Sequence, residues 1–118
     1  MSRIRSKRWS FTLNSYTDAE ELSVQALVRQ GSATFLIYGR EIGSMGTRHL
    51  QGYLETPNKM SLSSMKTLIP RAHLEKSRGS VQSNIDYCSK EDADPFKEGM
   101  VERVVDLGDF ILMISRQF

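Results

Sequence analysis

The sequence predicts an α+β domain: one central, largely antiparallel β-sheet of about five strands with helices packed on it. Three observations predict it. Runs of strand length and strand composition recur along the chain, two of them separated only by a glycine-containing turn. Segments of helical spacing opened by Ser or Thr fall between them. The resulting order, β-α-β-β-α-β-α-β, has a hairpin in its middle rather than repeated crossovers. At 118 residues the chain is long enough for one core and too short for two.

Taken in order, "KRWSFTLN" (7–14) alternates, with Trp9, Phe11 and Leu13 on one face and Arg8, Ser10, Thr12 and Asn14 on the other. "SYTDAEELSVQALV" begins the first helix, with Thr17 as N-cap, Glu20 three residues on, and apolar Leu22, Ala26 and Leu27 at helical spacing; it ends near Gly31. "TFLIYGRE" is a buried strand, and "IGSMGT" turns it into the next strand, "RHLQGYLE", which Pro57 and Asn58 close. "SLSSMKTLI" is a short helix stopped before Pro70, and "AHLEKSR" is another alternating strand. "SVQSNIDYCS" is a serine-capped helix, and "DPFKEGM" is an edge strand. The remainder, "VERVVDLGDFILMISRQF", has no place in this scheme. An oligomerisation helix, a piece of a further domain and a late core element all suit it, and its apolar run Phe110 to Ile114 is too short to span a membrane. The domain is therefore drawn at residues 1–100, with 101–118 as a tail serving oligomerisation or connecting domains.

Composition narrows the function. Cys88 is the only cysteine, which excludes an intramolecular disulfide and a thiolate-rich zinc site. The N-terminal "MSRIRSKRW" is basic without the apolar stretch of a secretory signal, so an intracellular location is expected, with no membrane partner. The net charge of +2 averages two unlike parts: residues 1–90 carry 13 Lys and Arg against 7 Asp and Glu, and residues 91–118 carry 3 against 7. That is the basic bias of a polyanion binder behind an acidic tail, although a solvated mixed-charge surface fits the counts equally well.

Three stretches carry chemistry. In "RHLQGYLE" the strand period places His49 and Gln51 on one face and Leu50 on the other. An imidazole and an amide oxygen are too few and too neutral for a divalent cation, so a carboxylate is required, and Glu41 on the preceding strand is well placed. Such an N,O,O set with water suits Mg2+ or Mn2+ better than tetrahedral zinc. By spacing alone an ordinary hydrogen-bonded strand histidine explains the pair as well. In "YCSK", Tyr87 and Lys90 stand at i and i+3 of a helix, a phenol beside an ammonium that would stabilise its phenolate; a half-buried tyrosine beside a surface lysine is the plain alternative. In "RAHLEKSRGS", Arg71, Lys76 and Arg78 could track a phosphate backbone or merely guard a sheet edge.

In order and spacing, "FTLN" (11–14), "HLQGY" (49–53) and "YCSK" (87–90) resemble the three motifs of HUH-type replication initiators. The resemblance is closest to the Rep proteins of circular single-stranded DNA viruses, in the circovirus and nanovirus branches, where glutamine replaces the second histidine. "LIPRAHLEKSRGS" and "PFKEG" also resemble segments of those proteins, and the likeness covers residues 7–100. It implies the HUH endonuclease fold and a metal-dependent nicking and joining of single-stranded DNA that starts and ends rolling-circle replication. It implies Tyr87 as nucleophile and Lys90 as its assistant, with Glu41, His49 and Gln51 on Mg2+ or Mn2+. Thr12 and Asn14 become candidates for DNA contact, and Arg8, Arg48, Arg71, Lys76 and Arg78 complete that set. The implied partners are the origin stem-loop and host replication machinery in the host nucleus, with a homo-oligomer for the full-length form. Full-length initiators of this type continue into a helicase domain with a GxxxxGK[ST] loop, which is absent here. An isolated endonuclease domain is favoured over a natural short form.

The competing reading is a noncatalytic nucleic-acid-binding module on an RRM-like sheet, which would read RNA. It would need aromatic residues exposed on central strands, for which Trp9, Phe11, Phe35, Tyr38 and Tyr53 are available, but the chain has no RNP1-like octamer.

Overall fold

The computed structural model describes residues 4–107 and 110–117, with side chains described as far as Val101. Nine elements follow in order: β1 (Arg5–Asn14), α1 (Asp18–Gln25), β2 (Phe35–Ile42), β3 (Arg48–Ser61), α2 (Leu62–Leu68), β4 (His73–Lys76), α3 (Val81–Ser89), β5 (Phe96–Leu107) and β6 (Phe110–Gln117). The strands lie in the order β4-β1-β3-β2-β5-β6, and every neighbouring pair is antiparallel. The expected α+β architecture is thus the observed one.

Alternation gives the sheet two different faces. Trp9, Phe11, Leu13, Leu36, Tyr38, Leu50 and Leu54 are buried on one face under α1 and α2, packing with Val24, Leu27, Met65 and Ile69. Phe35, Ile37 and Tyr53 are buried on the other face, with Ile85 and Cys88 of α3 and with Val101. Each helix starts on a side-chain cap: Thr17 with Glu20 in a reciprocal capping box, Ser61 accepting from the Ser64 N–H, and Ser80 accepting from the Ser83 N–H.

Four expectations need correction. Helix α1 stops at Gln25, and residues 26–31 form tight turns in which Leu27 N–H bonds the Val24 carbonyl. Leu22 is exposed, and the inward residue of that helix is Val24. Strand β3 does not close at Pro57 but runs on to Ser61. It does so because its ladder with β1 slips there: Arg8 faces Glu55 and Ser6 faces Met60, so Pro57, which has no N–H to offer, falls in the unpaired bulge. The strand begun by "DPFKEGM" is not an edge: β5 lies between β2 and β6, running on past residue 100 into a hairpin with β6, which makes six strands in the sheet.

Two close approaches set the site's geometry. A Cβ on Gly52 would stand 2.1 Å from the Phe11 ring, and one on Gly39 would stand 2.0 Å from the Cys88 carbonyl oxygen. The first lets Phe11 lie across β3. The second lets the end of α3 rest directly on β2.

Candidate active site

The register of the three central strands decides which side chains meet. Glu41 of β2 and Asn14 of β1 both face His49 of β3, while Gly39 and Thr12 face Gln51. Direct partners in an antiparallel sheet share a face, so His49, Gln51, Glu41, Thr12 and Asn14 all lie on the α3 side. Leu50 goes to the opposite core, as expected.

On that face Glu41 is buried, its side chain 4% exposed, and both of its oxygens are engaged. Oε1 lies 3.0 Å from Nε2 of His49, and Oε2 accepts from Nζ of Lys90 at 2.5 Å. Lys90 is the C-cap of α3, and its ammonium also lies 3.9 Å from the centre of the Tyr87 ring. A continuous row therefore runs from imidazole through carboxylate and ammonium to phenol. Gln51 is on the same face but leans toward β1, its amide oxygen accepting from Thr12 Oγ1 (3.3 Å) and its nitrogen donating to the Phe11 carbonyl (3.4 Å).

These donors fit a hard divalent cation. Two adjacent ligands of an octahedral ion with bonds near 2.1 Å stand roughly 3 Å apart, which is the spacing of the Glu41 and His49 donor atoms. Gly39, opposite Gln51, puts no side chain between that amide and Glu41's strand.

Tyr87 is 54% exposed and opens onto a cleft of about 720 Å³ between α3 and the β4 edge. Ser10, Thr12, Gln51, Lys76 and Arg78 also line it. The neighbouring Cys88 is buried, and desolvation pushes its thiol up to about 12, which leaves it a poor nucleophile at neutral pH.

The other basic candidates are placed elsewhere. Arg8 donates to the Tyr53 hydroxyl (2.8 Å) and to the Gly79 carbonyl (2.7 Å), bracing the loop that leads into α3. Arg48 lies over the Tyr16 ring at 4.5 Å. Arg71 forks onto Glu20 at 2.7 and 2.9 Å and reaches the Asn14 and Ser15 carbonyls. Its guanidinium holds the Glu20 carboxyl down at about 2, below the usual 4.5. A depressed folded-state pKa stabilises above the unfolded value, and that contribution is lost as pH falls through the folded one. Unfolding followed by denaturant from pH 5 to pH 2 is therefore expected to show a slope that Glu20→Gln reduces.

Sequence reading missed four residues here. His73, Glu75 and Asn84 line the cleft, Asn84 accepting from the buried Ser77 hydroxyl at 3.0 Å. The alternation in "AHLEKSR" was the available signal for the first two, because β4 pairs with β1 so that His73 faces Thr12 and Glu75 faces Ser10. Asp92 accepts the Arg40 N–H at 2.8 Å, pinning the chain after α3 to β2 beside Glu41. That bond and the nearby guanidinium hold its carboxyl below the usual range despite partial desolvation. Nothing local in the sequence marks a partner so distant.

The five aromatic residues that an RNA-reading sheet would expose are all buried, Trp9, Phe11, Phe35, Tyr38 and Tyr53 being at most 2% accessible. The face that could have served as a stacking platform is instead core and polar site.

A sheet presenting His-x-Gln beside a buried carboxylate thus lies under a helix carrying an exposed tyrosine. The chain belongs to the viral replication protein family, whose model matches residues 6–91. It is 54% identical over 85 residues to the replication-associated protein of Canary circovirus, and 49% identical over 85 residues to that of Beak and feather disease virus. It is 38% identical over 94 residues to the master replication protein of Banana bunchy top virus. These alignments cover 72%, 72% and 77% of this chain but only 29%, 29% and 30% of the relatives, so the chain spans under a third of their length. It is a Rep domain of the circular single-stranded DNA virus type.

Proposed function

We propose that this domain nicks and rejoins single-stranded DNA at a viral replication origin through a 5′-phosphotyrosyl ester on Tyr87, with Glu41, His49 and Gln51 holding Mg2+ or Mn2+. The reading is carried by one observation: an exposed tyrosine at an open cleft is tied through Lys90 to the Glu41–His49 pair.

The bound cation would supply Lewis-acid polarisation of a non-bridging phosphate oxygen. The chain's own residues do the rest. Lys90, beside the phenol, stabilises the developing phenolate as the hydroxyl proton passes to solvent water. The Tyr87 oxygen bonds to phosphorus, the bond from phosphorus to the 3′ oxygen breaks, and that oxygen takes up a proton as a free 3′-OH to prime synthesis. In the reverse step a 3′-OH attacks the tyrosyl ester, the new phosphodiester forms and Tyr87 recovers its proton. One ester replaces another each time, so no ATP is consumed. Lys76 and Arg78 along the cleft give the phosphate backbone its counter-charge, and Thr12 and Asn14, on the same face as His49 and Gln51, are further DNA contacts. Rolling-circle replication in a host nucleus, with host replication machinery, is the setting this chemistry serves. Residues 101–118 act as a connecting or oligomerisation segment in this reading.

The test incubates the protein with a fluorescent single-stranded origin-loop oligonucleotide in Mn2+ or in EDTA, followed by a denaturing gel. Cleavage with a covalent protein–DNA band in Mn2+ alone is expected. Binding without cleavage in any divalent metal, across a panel of origin loops, would instead make this a noncatalytic single-strand binder.

A further inference from the structure

We propose that Lys90 is an internal competitor for the cation: its ammonium and a divalent ion share the Glu41 carboxylate, so that cation binding hands Lys90 over to Tyr87. This rests on the reading of Glu41 and His49 as cation ligands and adds a coupling that the reading does not contain.

The geometry carries it. Glu41 has two oxygens, both occupied: Oε1 by His49 and Oε2 by Lys90. The group is buried, so water cannot readily screen a second positive charge placed beside the ammonium. A cation entering at Glu41 and His49 therefore meets Lys90 as a unit charge of like sign a few ångströms away. Lys90 is free to yield, because its side chain is 35% exposed and sits at the last turn of α3. Its Nζ already lies 3.9 Å from the centre of the Tyr87 ring, and the displaced ammonium moves from Glu41 to that phenol. Binding at one end of the row thus frees the group that stabilises the phenolate at the other. By linkage the effect is reciprocal, and a Lys90 held on Glu41 weakens the cation's affinity. The same ammonium satisfies the buried carboxylate before the cation arrives.

The test is Mn2+ binding itself, measured by electron paramagnetic resonance titration without DNA, for the wild-type protein, Lys90→Met, Lys90→Arg and His49→Ala. Lys90→Met is expected to bind Mn2+ roughly ten-fold more tightly, the low end of what removing a unit charge beside a divalent ion gives even under water-like screening. Lys90→Arg keeps the charge and is expected to match or fall below wild type. Lys90→Gln, neutral and polar, repeats the measurement should Lys90→Met fold poorly. A Lys90 substitution that merely loosened the site would weaken binding, so equal or weaker affinity in both neutral variants overturns the competition. If wild type and His49→Ala bind Mn2+ alike, the cation site falls, and the competition falls with it.

Discussion

Tyr87→Phe is expected to abolish the covalent protein–DNA band and lower strand cleavage by roughly 10³-fold or more, the scale of loss when a nucleophile is removed. Fold and DNA affinity are expected to stay unchanged. The chain has four tyrosines, and Tyr16, Tyr38 and Tyr53 are buried, so none of them can replace Tyr87 at the cleft. Burial pushes the Tyr38 and Tyr53 hydroxyls further from ionisation, with hydrogen bonds to Glu21 and Glu55 adding to the effect. Cys88 is adjacent in sequence but buried, and its thiol is held protonated. Because Tyr87 is exposed, loss of one hydroxyl there costs at most about 0.5 kcal/mol of stability. An unchanged melting temperature with no adduct would identify the nucleophile; an adduct persisting in Tyr87→Phe would move the nucleophile off the tyrosines.

The second large effect is expected at a residue with no chemistry of its own. Gly39→Ala drives a Cβ to 2.0 Å from the Cys88 carbonyl, a backbone atom that cannot rotate away. The end of α3 must lift off β2, at a cost of about 1–3 kcal/mol in unfolding free energy, read as a lowered midpoint of urea unfolding. The same lift carries Tyr87 and Lys90 away from Glu41, and a displacement near 1 Å is worth roughly 10²-fold in nicking even where the protein remains folded. Gly43→Ala, whose added Cβ meets nothing nearer than 3.6 Å, is the neutral control. Equal stability and nicking for the two variants would show that the helix does not depend on this approach.

Local patterns made much of this structure legible. The period-two alternation of Trp9, Phe11 and Leu13 names the buried face of β1, and the Thr17–Glu20 spacing marks the start of α1. The i, i+2 spacing of His49 and Gln51, with a hairpin returning to Glu41, is enough to place all three on one face. What stayed hidden depends on residues far apart in the chain. Pro57 reads as a strand end until the slipped pairing with Ser6 and Arg8 gives it a bulge to occupy. Leu22 looks like a core residue until the sheet beneath α1 selects Val24 instead. Both the bond from Arg40 to Asp92 and the fit of Gly39 under Cys88 arise from tertiary contact between β2 and the end of α3, for which no single segment carries a signal.

Among the described residues the sheet divides two cores of unequal size, and α3, which carries Tyr87, rests on the smaller one. Local opening follows the cheapest set of contacts, so α3 is expected to release first, exposing Phe35, Ile37 and Tyr53 while β1, β3 and the α1–α2 layer stay folded. Hydrogen exchange is expected to show the amides of α3 opening below global unfolding, ahead of those of β1 and β3. On the proposed chemistry a tyrosine joined to one DNA end must later admit another, and a helix that opens apart from the rest would give that exchange a route that leaves the domain folded.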